Sequence, residues 1–204
     1  MVTLGRPKSN EKKAQILSAA ADLFTSQGYA NTSLEQVAHA ANVSKQTIYS
    51  HFDGKADLLR EGVKQRCLEG ELTVEQFDLS LPPEEFLPEF AERFLGVVLE
   101  DTALATFRLC LNESHRHPEL GAAFFDSGPK LVMGALDTYL SQAHERQLLD
   151  VSDPPLAAVQ FLFMVRGFPV DCALLNLDQA SLQINMQNYI DQCCAMFLRA
   201  YAKQ

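Results

Sequence analysis

The 204-residue chain predicts an all-α protein in two parts, a short N-terminal group of helices and a longer C-terminal helical array. Three observations carry this. Apolar residues recur at i, i+3, i+4 and i+7 in stretch after stretch, and from Glu84 onward no run alternates as a strand would. Proline and glycine punctuate those stretches at Leu81-Pro82-Pro83, Ser127-Gly128-Pro129 and Pro154-Pro155. Charge is divided unequally: residues 1–66 hold nine Lys/Arg and six Asp/Glu, a net +3, and residues 67–204 hold eight and twenty, a net −12. The boundary falls near residues 66–82, giving parts at 10–70 and 71–204.

Bulk properties narrow the classes. Hydrophobic residues make up 47% of the chain, enough for a core. No apolar run is expected to approach the ~18 residues of a membrane span. Met1–Asn10 is polar and lacks the apolar segment of a secretory signal, so a cytoplasmic protein without a membrane partner is expected. The net charge of −9 argues against a nucleic-acid partner until the split above shows its basic residues gathered at the N-terminus. Cys67, Cys110, Cys172, Cys193 and Cys194 are odd in number and form no C-x-x-C pair, which suits small buried side chains in a reducing compartment. A thiol-based redox switch is the alternative.

Met1–Asn10 reads as an arm carrying Arg6 and Lys8, either a disordered tail or a contact to phosphate or an adjacent minor groove. Glu11–Gln27 is the first helix, with Ile16, Ala19, Ala20, Leu23 and Phe24 on its buried stripe and Gly28 as a left-handed cap. Thr32–Lys55 is the informative stretch. Thr32 and Glu35 have capping-box spacing, and Leu34, Val37, Ala38 and Ala41 share one face of a second helix. Asn42 interrupts, and Ser44 opens a third helix that buries Ile48 and Phe52. The other faces of this helix hold Lys45, Gln46, Thr47, Tyr49, Ser50 and His51. Amides, hydroxyls and one lysine within two turns are what a helix needs to meet base edges and phosphates in a major groove. A helix, a tight turn and such a helix make a helix-turn-helix.

This stretch resembles the DNA-binding domain of the TetR family of transcriptional repressors. The resemblance rests on Phe24-x-x-x-Gly28, Thr32–Ser33, Val37–Ala38, Ala41, Val43–Ser44, Ile48–Tyr49, His51–Phe52, Lys55 and Leu58–Leu59. It implies that Tyr49 and His51 contact DNA backbone or bases, and that the helix from Lys55 to about Thr73 joins the reader to the rest of the protein. Lys45, Gln46 and Thr47 occupy the turn that usually reaches base edges. Lys55, and Thr32 with Ser33, open helices whose N-termini suit phosphate. For His51 a structural hydrogen bond at the helix end is the alternative.

In the C-terminal part, Phe86, Leu87, Phe90, Ala91, Phe94, Leu95 and Val98 mark a fifth helix and Ala103–Ser114 a sixth. The run Phe107-Arg108…Glu113-x-x-Arg116-x-Pro118-Glu119-Leu120 resembles the regulatory domain of one TetR subgroup. A stripe from Val132 to Ala143 follows Pro129. Leu156–Val165 is almost continuously apolar, and Pro169 is expected to kink or interrupt that helix near Gly167. Ser181–Ala202 is the last helix, with a broad face of Met186, Tyr189, Ile190, Cys193, Cys194, Phe197, Leu198 and Tyr201. Two neighbouring helices with surplus apolar surface suggest a homodimer built as a four-helix bundle, as the resemblance also implies; an ordinary monomer core is the alternative.

No nucleophile elbow, zinc-protease motif, P-loop or dinucleotide fingerprint occurs, so an enzyme is not expected, nor a cofactor. His115 and His117 have poor spacing for one helical face, and no metal is expected. A small, largely apolar effector is. Phe107, Phe125, Met133, Phe161, Met164 and Phe168 are candidate walls for its pocket, with Arg108, Arg116 or Arg166 as polar anchors. Arg166 is the most suggestive, because a buried arginine needs a partner such as Glu113, Asp171 or a ligand carboxylate. A ligand-responsive repressor acting as a dimer on a palindromic operator is the expected function. A vestigial helix-turn-helix on a helical interaction module or enzyme is the competing reading.

Overall fold

The computed structural model describes residues 6–177 and 185–203, and among them every regular element is helical. The order is α1 (Arg6–Gln27), α2 (Leu34–Ala40), α3 (Lys45–Tyr49), α4 (Lys55–Glu69), a 3-10 turn (Val74–Gln76), α5 (Pro83–Val98), α6 (Asp101–Glu113), α7 (Pro118–Ser127), α8 (Pro129–Glu145), α9 (Pro154–Leu174) and α10 (Met186–Ala200). α1 begins at Arg6, so residues 6–10 of the expected arm are helical backbone. The expected start of the last helix at Ser181 lies outside the described residues.

The chain packs as two compact units, and neither is one continuous segment. The first comprises Met1–Gln65 with Ala105–Ser127, the second Arg66–Leu104 with Gly128–Gln204. A single cut at 70/71 does not describe this packing. Leu109, Cys110, Leu120 and Ala123, from α6 and α7, are buried in one cluster with Ile16, Phe24, Val37, Ile48, Phe52 and Leu58. The apolar stripe of α6 looked like regulatory-domain core from sequence, yet it completes the core of the reader. Residues 1–65 carry eight Lys/Arg and six Asp/Glu, since Arg66 falls in the second unit, and residues 105–127 add Arg108 and Arg116 with Glu113, Glu119 and Asp126, so the first unit is net +1 rather than +3.

Local signals explain its turns. Gly28 adopts φ 90 and donates its N–H to the Phe24 carbonyl, as a glycine cap does. Asn42 adopts φ 51 between α2 and α3, a left-handed position that asparagine tolerates better than most residues.

In the second unit α8 lies along α9, and α10 packs on both α5 and α9. Phe77, Phe86, Phe90, Leu136, Tyr139 and Phe161 are buried at its centre, and the Tyr139 hydroxyl donates to the Leu81 carbonyl at 3.0 Å. Arg146 donates to the carbonyls of Leu79 and Ser80, fixing the loop before α5. α9 runs through Pro169 from Pro154 to Leu174 and is not interrupted. Cβ of Gly70 would come within 2.0 Å of Cγ2 of Val97, so the end of α4 approaches α5 more closely than any side chain allows. By length and composition α9 is apolar enough to cross a membrane, at a mean hydropathy of 1.4, although 44% of that window is buried inside the protein. The sequence hid this because Gln160, Arg166 and Asp171 break the run into shorter pieces.

Candidate nucleic-acid interface

α2 is capped by Ser33, not by Thr32. The Gln36 N–H donates to Ser33 Oγ at 3.2 Å, and the Ser33 N–H donates back to Gln36 Oε1 at 2.7 Å. The expected Thr32–Glu35 box is thereby displaced by one residue. The cause is burial. Thr32 is only 2% exposed, its hydroxyl donates to the Gly28 carbonyl at 2.8 Å, and Gln27 Nε2 donates to it at 3.2 Å. Thr32 therefore ties the end of α1 to the start of α2 and presents no group for phosphate. Ser33 is half-buried and its hydroxyl is occupied by the cap.

Released from the cap, Glu35 forms an ion pair with Lys45 at the start of α3. The hydrogen bond from Lys45 holds the Glu35 carboxyl below its ordinary range, and the same bond raises the lysine. The ammonium also lies 5.8 Å from the centre of the Tyr49 ring.

On α3 itself, Ser44 is the N-cap, accepting from the Thr47 N–H at 3.0 Å, while the Ser44 and Thr47 hydroxyls lie 2.8 Å apart. Ser50 donates its hydroxyl to the Thr47 carbonyl at 2.7 Å. These three hydroxyls brace the helix. Lys45, Gln46 and Tyr49 are left as its outward-facing side chains, Tyr49 being 55% exposed. Ile48 and Phe52, fully buried, lock the opposite face to α1, α2 and α4. His51 is exposed, with its ring 6.2 Å from that of Phe52.

Lys55, at the first turn of α4, is half-buried. Its ammonium donates to the Tyr29 carbonyl at 2.6 Å and lies 4.4 Å from the centre of the Tyr29 ring. Burial lowers its pKa, opposed by the nearby Glu119 and Glu113 carboxylates. On another side the Tyr29 ring meets His117 edge-on at 5.4 Å, and His117 Nδ1 is 3.2 Å from Glu119. Burial first, and Glu119 second, push the Tyr29 hydroxyl up to about 12. A depression of about 340 Å³ beside this joint is lined by Tyr29, Asp53, Gly54, Lys55, Ala56, Asp57 and Arg60. Sequence reasoning missed Tyr29, whose only signal was an aromatic residue directly after a glycine cap. The side chains of Arg6 and Lys8 lie outside the described residues.

The candidate effector residues do not gather in one unit. Phe107, Arg108, Arg116 and Phe125 belong to the first. Phe107 stacks on Phe124 at 5.7 Å, Arg116 is exposed, and Phe125 is 49% exposed. Met133, Phe161, Met164, Arg166 and Phe168 belong to the second. Phe161 is fully buried against Phe197, which makes it core and not a wall. Met133 and Met164 pack partly buried against that core, and Phe168 is exposed. Arg166 is half-buried with its guanidinium 5.3 Å from the exposed Phe163 ring, so it is not the fully buried charge that the apolar sequence around it suggested. Among the described residues no three His, Cys, Asp or Glu side chains cluster as metal ligands would.

Residues 16–61 match the family model described as bacterial regulatory proteins, tetR family, and residues 85–203 match that of the AefR-like transcriptional repressor, C-terminal domain. Curated relatives align over short stretches of the chain. The transcriptional regulator AcrR of Shigella flexneri is 41% identical over 56 residues, 28% of this chain and 26% of AcrR. HbdR of Aromatoleum sp. (strain CIB) is 47% identical over 49 residues, 24% of this chain and 21% of HbdR. This chain thus aligns with about a quarter of the length of each. Solved structures align over nearly everything. The flavonoid-responsive regulator FrrA has a TM-score of 0.76 at 31% identity, covering 94% of this chain and 97% of FrrA. A TetR-family regulator from Mesorhizobium loti MAFF303099 has a TM-score of 0.75 at 27% identity, covering 96% and 99%. With both halves matched and the reader's geometry in place, the chain belongs to the TetR family of transcriptional regulators.

Proposed function

We propose that this regulator is a repressor that binds a palindromic operator as a dimer and releases it when a small, largely apolar effector binds. The observation that carries the DNA-reading part is the division of α3: Ile48 is buried and pins the helix, while Lys45, Gln46 and Tyr49 face outward. Such a helix offers an ammonium, an amide and a phenol to base edges and phosphates. Lys55 and Arg60 in the first two turns of α4, and His51, are the backbone contacts of this reading.

Dimerisation through the last two helices is supported by apolar side chains they leave exposed, Leu156, Phe163 and Phe168 on α9, Leu175 at its C-cap and Met196 on α10. A second copy covers such a face by isologous packing. For the effector, the likeness to FrrA favours a planar aromatic molecule, and Met133, Met164, Phe168 and Arg166 are its contacts in the second unit. An effector shifts DNA affinity only through unequal affinity for two conformations.

All five cysteines are buried, and burial raises the thiol pKa of Cys67, Cys110, Cys193 and Cys194. A peroxide sensor needs an exposed, easily ionised thiol, so these features favour the ligand reading over the redox one.

The test is selection of bound sequences from random duplex DNA at near-physiological salt. A palindromic consensus with half-sites about one helical turn apart (~34–36 Å) or further is expected. Salt-sensitive binding with no consensus would reject sequence-specific repression.

A further inference from the structure

We infer that Glu35, on the helix before the reader, is a positioning residue that aims Lys45 at a guanine edge. The inference rests on the DNA-reading role proposed for α3. Its basis is the ion pair between Glu35 and Lys45, which spans two helices and ten residues of sequence, together with the Tyr49 ring 5.8 Å from the same ammonium.

Lys45 is the one full charge on α3, whose sequence is Lys-Gln-Thr-Ile-Tyr. An unrestrained lysine there is a compact charge on a flexible stem, drawn to whichever phosphate is nearest. Such a contact carries no sequence information. The two contacts found here, to the Glu35 carboxylate and to the ring of Tyr49 in the next turn, restrict the stem.

The donor count then fits a base. An ammonium has three N–H groups. Glu35 takes one, and two remain. Guanine presents two major-groove acceptors, O6 and N7, and a lysine that reads both makes one of the commonest specific contacts. The carboxylate also places a negative charge where phosphates approach, which weakens phosphate capture by the same lysine and leaves the base edge as its better partner. Glu35 is 63% exposed on its side chain and has no buried role to explain its charge. It sits in the first turn of α2, where the cap is made by Ser33 and Gln36 instead.

The experiment compares wild type, Glu35→Gln, Lys45→Ala and the double variant by random-duplex selection, followed by titration of the selected and scrambled duplexes at several salt concentrations. The wild type is expected to select guanine at one symmetric position in each half-site. Lys45→Ala erases that preference. Glu35→Gln lowers it about tenfold, tightens binding to scrambled duplex and steepens the salt dependence by up to about one phosphate equivalent. The double variant matches Lys45→Ala at that position. Glu35→Asp, which keeps the charge at the helix start but shortens its reach, loses the preference without steepening the salt dependence, and so separates aiming from charge. Circular dichroism confirms that each variant is folded. A wild-type consensus that Glu35→Gln reproduces at full strength overturns this inference and leaves the regulator reading intact. A wild type without any consensus overturns both.

Discussion

The Lys55 ammonium reaches back 26 residues to donate to the Tyr29 carbonyl at 2.6 Å, with the Tyr29 ring 4.4 Å beneath it. One lysine thus joins the loop after α1 to the start of α4. Lys55→Ala should therefore have two separable effects. Affinity falls on every duplex, and the slope of log K against log salt becomes shallower by about one. Stability of the first unit falls by about 1–2 kcal/mol, from the lost charged hydrogen bond and the lost cation–ring contact. Unchanged affinity in duplex titrations would assign Lys55 to structure alone.

Thr32 and Ser33 should respond differently from a pair of phosphate contacts. Thr32→Val removes a buried hydroxyl and costs about 1–2 kcal/mol in urea unfolding. Ser33→Ala removes a helix cap and costs about 1 kcal/mol. Neither should alter the salt dependence of DNA binding where the protein remains folded. Loss of affinity in Thr32→Val without loss of stability would return that residue to the interface.

Much of this was legible in the sequence, and the failures share a cause. Helix positions followed from periodicity, and the reader from the polar inventory Lys45, Gln46, Thr47, Tyr49, Ser50 and His51 around the buried Ile48 and Phe52. The capping register did not follow, because Thr32-x-x-Glu35 and Ser33-x-x-Gln36 satisfy the same pattern one residue apart. Burial of Thr32 chose between them, and burial is a tertiary fact. The partners of Lys45 and Lys55 were invisible for the same reason, since Glu35 and Tyr29 are distant in sequence. The effector residues were selected for being aromatic or basic, which cannot tell the fully buried Phe161 from the exposed Phe125.

Gly70 and Val97 should form a coupled pair. A methyl group at Gly70 collides with the stiff, buried Val97 side chain, so Gly70→Ala should cost about 1–3 kcal/mol. In the Val97→Ala background the same change should cost little. A double-mutant cycle in urea reads the difference; additive effects would mean that the backbone yields.

Alkaline stability should be limited by thiols. Burial pushes Cys67 up to about 11 and Cys110 and Cys194 up to about 12, from an ordinary value near 9. Between those limits the folded protein keeps protons that the unfolded chain releases. The resulting stability is complete below pH 9 and is lost as pH climbs through 11 to 12. The urea midpoint should fall steadily above pH 9, and alkylation at pH 8 should be slow in the native protein and rapid in urea. Fast native alkylation of any of the three would contradict their burial and revive a redox role.

The insertion of residues 105–127 into the first unit bears on protein engineering. A chimera that transplants only residues 1–70 onto another sensor leaves behind Leu109, Cys110, Leu120 and Ala123, which fill the core beneath α1 and α4. Its recipient would have to supply a matching pair of helices or inherit an uncovered apolar floor. Swapping operator specificity in this protein is therefore safer by rewriting the exposed residues of α3 in place than by exchanging a cassette.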